Sequence, residues 1–161
     1  MLILLTQETA EVSPVFLVCF VAAIIGLTFL FMKCTSNQAT DQIKKRYAGK
    51  ILAEYNPESK FPMYSFVTED EFVIQNNPQS FIAYPLANIA YTKAFWDMTA
   101  RQWAFVVWDE NQKKKGLNGK MLSGAQNTKK YNGSSLFFMP QNEAENLCVF
   151  LAQHAPHVQI L

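Results

Sequence analysis

Phe81-Ile82-Ala83-Tyr84-Pro85-Leu86-Ala87-Asn88-Ile89 is the stretch on which the fold turns. Ser80 to Tyr84 has the aromatic and branched make-up of a strand, and Pro85, which cannot donate to a sheet ladder, marks its end. A second such run follows from Asn88 to Trp96 (NIAYTKAFW). The stretch therefore predicts a strand, a short step and the start of the next strand. It holds no candidate reactive group.

The same reading extends in both directions. Upstream, Met63 to Val67 and Phe72 to Gln75 flank the polar Thr68-Glu69-Asp70-Glu71, which predicts a hairpin, and Asn76-Asn77-Pro78 predicts a turn. Downstream, Gln102 to Trp108 (QWAFVVW) is a further strand, Asp109 to Leu117 a polar connection and Ser134 to Met139 a last strand. Pro140 then opens a helix from Gln141 to His154. Glu143 and Glu145 sit in its first turn, where the helix dipole favours them, and Leu147, Phe150 and Leu151 form its apolar stripe. About five to seven short strands and a closing helix predict an α+β domain, a small curled sheet or barrel with one open end covered.

The beginning of the chain differs in kind. Ser13 to Met32 (SPVFLVCFVAAIIGLTFLFM) carries no charge and, as a helix, would extend about 30 Å, the thickness of a bilayer core. Pro14 suits the first turn of such a helix. A core helix would show a polar face, and a signal peptide would open with positive charge, which Met1 to Val12 lacks. A membrane span over 13–32 is therefore expected. Lys33, Lys44, Lys45, Arg46 and Lys50 follow it, which places the short N-terminus, 1–12, outside and the rest in the cytoplasm. Thr40 to Tyr55 repeats apolar residues every fourth position (Ile43, Tyr47, Ile51, Tyr55) and predicts a basic helix within a membrane-proximal segment, 33–60. The β-rich domain then occupies 61–161.

The combined pattern resembles the bacterial membrane-anchored pleckstrin-homology-like domains. Phe66, Phe72 and Ile74 match the hairpin, Phe81-Ile82-Ala83-Tyr84-Pro85 with Ile89 match the step, and Leu147 and Leu151 match the closing helix. The resemblance covers about residues 61–155. It implies that curled fold, a place at the bacterial inner membrane, a role as an adaptor or subunit there, and no catalytic residues.

The chemistry-bearing residues agree with a non-enzyme. Glu69-Asp70-Glu71 has no histidine beside it, His154 and His157 are separated by Pro156, and Gly116 to Met121 has the wrong spacing for a phosphate loop. Cys19, Cys34 and Cys148 form neither a disulfide framework nor a metal set. No cofactor, small-molecule substrate or nucleic acid is expected; base stacking would need aromatics among the lysines, and only Tyr131 qualifies. Lys113, Lys114, Lys115, Lys120, Lys129 and Lys130, with the basic helix, can meet lipid headgroups, an acidic partner or only water. Ala22 and Gly26 are four apart in the span, as in paired membrane helices. Trp96, Trp103 and Trp108 can line a protein interface or fill the core. Together these predict an accessory or scaffold subunit of a membrane complex, contacting the bilayer and other subunits. The alternative is an immunity or regulatory protein that neutralises one partner.

Overall fold

The computed structural model describes residues 14–55, 64–110, 117–123, 128–133 and 135–161. The chain divides after Cys34 into two units. The first holds the apolar run of α1 (Pro14–Arg46), with Val15, Phe16, Leu17, Phe20, Leu27 and Phe29 all exposed. Thr28 donates its hydroxyl to the Ile24 carbonyl at 2.8 Å, which leaves that polar group satisfied within the helix. Among the described residues α1 is the one helix long and apolar enough to cross a membrane. Ser13, expected to open the span, lies outside the described residues.

The second unit, from Thr35, is α+β. After the end of α1 come β1 (Ala53–Tyr55), β2 (Ser65–Val67), β3 (Glu71–Asn77) and β4 (Ser80–Pro85). A single 3-10 turn (Leu86–Asn88) leads to β5 (Tyr91–Asp97) and β6 (Gln102–Trp108). Then follow β7 (Leu117–Ser123), β8 (Thr128–Gly133), β9 (Leu136–Phe138), α2 (Gln141–His154) and β10 (Gln159–Ile160). One sheet has the order β1-β2-β3-β4-β7-β8 and the other β10-β5-β6-β9. The sequence predicts an α+β domain built on a curled sheet or barrel; the α+β class holds, and the strands form two sheets. Every pairing is antiparallel except that of β10 with β5.

The principal core lies between the two sheets and α2. Phe72, Ile74, Ile82 and Tyr84 from the first sheet meet Phe105, Val107 and Phe137 from the second, with Leu147, Cys148 and Leu151 of α2. A second core lies on the opposite face of the first sheet. There Phe66, Val73, Phe81, Ala83 and Leu122 pack against Ala39, Ile43 and Tyr47. The residues that end α1 therefore complete the β domain and are not a separate linker helix.

The helix predicted over Thr40 to Tyr55 is corrected accordingly. Thr40 and Asp41 are inside α1, not at its start, and the helix stops at Arg46. Gly49 adopts φ 76, a left-handed conformation that closes the helix at low cost for glycine alone. The backbone then turns into β1, which pairs antiparallel with β2. The four-residue spacing does not continue as a helix: Ile51, ahead of β1, packs on the second core, while Ala53 and Tyr55 face the principal core and Leu52 and Glu54 are exposed, a strand alternation within β1.

β7 and β8 are the other departure, two strands in a stretch where the residue pattern predicts none. LNGKMLS and TKKYNG contain the Asn, Gly and Lys that strands disfavour, so composition conceals them. Gly119 explains how β7 docks. A Cβ there would stand 2.9 Å from the Ala83 carbonyl oxygen and 3.0 Å from both Ile82 Cγ2 and Tyr84 Cδ1. Gly119→Ala is expected to cost about 1–3 kcal/mol by overcrowding, measured as a lower midpoint in denaturant unfolding of the detergent-solubilised chain.

The opening stretch folds as a strand and a step, but the next strand begins at Tyr91 and not at Asn88. Phe81, Ile82, Ala83 and Tyr84 are buried in β4, Pro85 ends the strand, and Ile89 is buried just before β5. The Leu86 amide donates to the Asp70 carbonyl at 2.8 Å, and His157 Nε2 donates to the Leu86 carbonyl at 3.0 Å. The step is thereby tied to both the β2–β3 turn and the end of α2.

Candidate functional site

Register brings some of the candidate residues together and separates others. Lys120 of β7 stands opposite Lys130 of β8, and both are exposed. They share the sheet face on which the end of α1 packs, because Lys120 also pairs with Ala83 and Ala83 with Val73. Glu71 links the two elements. Its Oε2 accepts the Tyr47 hydroxyl at 2.8 Å, and Lys120 Nζ lies 3.9 Å from its Oε1. Lys45 and Arg46, in the last turn of α1, and Lys50 just after it are exposed.

Lys44 is otherwise occupied. Its Nζ donates to Glu54 Oε2 at 3.1 Å and lies 4.6 Å from the centre of the Tyr64 ring. It braces α1 against the sheet, a contact worth little as an exposed ion pair and somewhat more with the ring beneath it. Lys113, Lys114 and Lys115 lie outside the described residues, as does the side chain of Lys129.

Tyr47 and Tyr64 in this region, and Tyr55 in the principal core, share one electrostatic property. Burial, and then the adjacent Glu71 carboxylate, push the Tyr47 phenol well above its ordinary range. Burial, with Glu54 next, does the same for Tyr64. Tyr55, buried near Glu143, is pushed up to about 12. A group whose acidity is weakened by folding contributes stability that is complete below its unfolded value, near 10, and lost as pH rises through the folded one. Stability is therefore expected to decline above about pH 10, with tyrosinate absorbance from these residues rising together with loss of circular dichroism. Ionisation of all tyrosines at their ordinary value with the fold intact would contradict this.

The three tryptophans divide into two places. Trp96 and Trp103 face each other across β5 and β6, edge to face with centroids 6.4 Å apart, beside the β5–β6 turn. Trp108 stands opposite Tyr91 at the far end of the hairpin and on the other face. That outer face carries half-buried Tyr91, Phe95, Trp108 and Phe138 around buried Ala104 and Val106. Parity therefore puts Trp96 and Trp103 on the core-facing side of the sheet with Phe105 and Val107, and Trp108 on the other.

Met98 and Arg101 at the β5–β6 turn belong beside Trp96 and escaped the sequence reading. Met98 is 79% exposed. The available signal was an apolar residue inside Asp97-Met98-Thr99-Ala100-Arg101, where turns favour small or polar residues.

Cys148 and His154 make packing contacts, while Cys19 and Cys34 are exposed on α1. Cys148 is buried, with Thr92 Oγ1 3.4 Å from its Sγ, and burial pushes its thiol acidity down, raising its pKa. His154 stacks on Phe150 with centroids 3.9 Å apart. No three His, Cys, Asp or Glu side chains among the described residues are grouped to hold a metal ion. In the first unit Ala22 and Gly26 are exposed on α1, and a Cβ at Gly26 would meet nothing within 4 Å. Compared with protein-family models, curated proteins and solved structures, the chain matches none.

Proposed function

We propose that the protein is a non-catalytic accessory or scaffold subunit of a bacterial membrane-bound complex, such as a secretion or envelope assembly. The apolar run from Pro14 to Met32 serves as its single span, with the N-terminus outside and the β domain on the cytoplasmic side of the inner membrane. The domain is read as pleckstrin-homology-like. Support for that comes from the order of elements: a hairpin, a strand ending at Pro85, a one-turn step, two aromatic strands and a closing helix.

The observation that carries the functional reading is the outer face of the β5–β6–β9 sheet. Aromatic rings of Tyr91, Phe95, Trp108 and Phe138 remain half-accessible there, on a surface with no grouped acid, base and nucleophile among them. Such rings supply contact area at low entropic cost and favour recognition of another protein over chemistry. A second support is that α1 ends inside the domain's own core, so an anchored helix also holds the domain in shape.

Extraction of native membranes in mild detergent tests the reading. The chain should elute with other proteins in a large assembly, and Trp108→Asp should release it. Elution as a monodisperse monomer overturns the subunit role. The orientation is tested with Asn118→Cys, an exposed β7 position; labelling from outside intact cells overturns the cytoplasmic placement.

A further inference from the structure

The tip of the β5–β6 hairpin exposes apolar side chains that a solvent turn does not need. Met98 is 79% exposed and Trp96 46%. Small polar residues would complete the same turn without leaving an indole and a thioether in water. The turn is nevertheless well built. Asp97 Oδ1 accepts the amides of Thr99 and Ala100 at 2.8 and 2.9 Å, and the Trp96–Trp103 ring pair locks the strands beneath it. Arg101 closes the turn at φ 52, in the left-handed region that glycine fills without strain. A long cation kept at a strained position points to use of its guanidinium.

We propose that this tip is a second membrane contact, in which Trp96 and Met98 enter the interfacial layer of the bilayer, Trp103 backs the Trp96 ring, and Arg101 reaches a lipid phosphate. The inference rests on the membrane-anchored part of the function proposed above. The chemistry fits the layer: indoles settle at headgroup depth, methionine is a flexible apolar filler, and arginine forks onto phosphate while its stem stays in apolar surroundings. Lipid is favoured over a protein pocket by the covalent arrangement. The unit bearing the tip begins at Thr35, directly after the unit bearing the span. A domain tethered so closely meets lipid at high effective concentration, so a contact weak in isolation is populated.

Tryptophan emission tests this in the full chain, because Trp96, Trp103 and Trp108 all follow the apolar run and the span itself is silent. The protein is incorporated into nanodiscs of phosphatidylcholine and phosphatidylglycerol, with or without acyl chains brominated near the headgroup. Co-elution with the discs reports the anchor independently of the tip. Bromination should then reduce emission by as much as about two-thirds, since two of the three tryptophans are at the tip. Quenching should persist in Trp108→Phe and vanish in Trp96→Phe/Trp103→Phe. Met98→Glu alters an exposed side chain and should also abolish most of it while leaving circular dichroism unchanged. A chain that co-elutes with discs but is blind to bromine overturns the tip contact alone. Equal quenching in the double variant assigns the contact to Trp108 and overturns it too. Failure to enter the discs removes both the anchor and the inference.

Discussion

Phe72→Ala is expected to destabilise the folded domain by about 3–5 kcal/mol. Phe72 is fully buried and stands where the two sheets meet. Its ring stacks on Tyr84 at 6.2 Å and meets Phe105 and Phe137 edge-on at 5.5 and 6.2 Å. Removing it takes away burial and also leaves those neighbours around a void, because rings from two different sheets cannot collapse together. Denaturant unfolding of the detergent-solubilised protein should show a lower midpoint or no folded baseline. A loss below about 1 kcal/mol would mean that the sheets do not pack through this ring.

Ile43→Ala should cost about 2–4 kcal/mol, because the apolar stripe it belongs to is buried against the first sheet. Ile43 is 1% exposed and packs with Ala39 and Tyr47 on Phe66, Val73 and Phe81. Lys45→Ala, one turn face away and exposed, is the control and should change stability by less than about 0.5 kcal/mol. The same geometry predicts the behaviour of truncations. A fragment beginning at Tyr47 lacks Ala39 and Ile43 and bares an apolar sheet face, so it should aggregate, whereas one beginning at Thr35 retains that cover. Equal solubility of the two fragments would contradict the role assigned to the helix end.

Much of the β domain was legible in the residues because its signals are local. Gln102–Trp108 and Gln141–His154 have the bounds that periodicity and Pro140 predict, and the hairpin around Thr68–Glu71 forms as read. The Thr68 hydroxyl accepts the Glu71 amide at 3.0 Å, a turn contact within the segment itself. β1, β7 and β8 were less legible because their stability comes from partners distant in the chain. β7 is held by β4 and by the space that Gly119 leaves for it, and neither can be seen in LNGKMLS.

The candidate surfaces divide in the same way. Residue types alone marked the lysines, the tryptophans and the apolar run, since charge, ring and hydropathy are properties of single side chains. Register decided that Lys120 meets Lys130, that Trp96 meets Trp103 and that Trp108 stands apart. Tertiary packing decided that Lys44 is engaged by Glu54, that Met98 is exposed, and that the end of α1 belongs to the domain core. For the opening stretch, the order of apolar residues and one proline sufficed to specify strand, step and strand. Its two faces, one against each core, exist only because sheet and helix close around β4 from opposite sides. An unbroken apolar run says that a strand has two buried faces; what buries each is a matter of long-range contact, which no local pattern encodes.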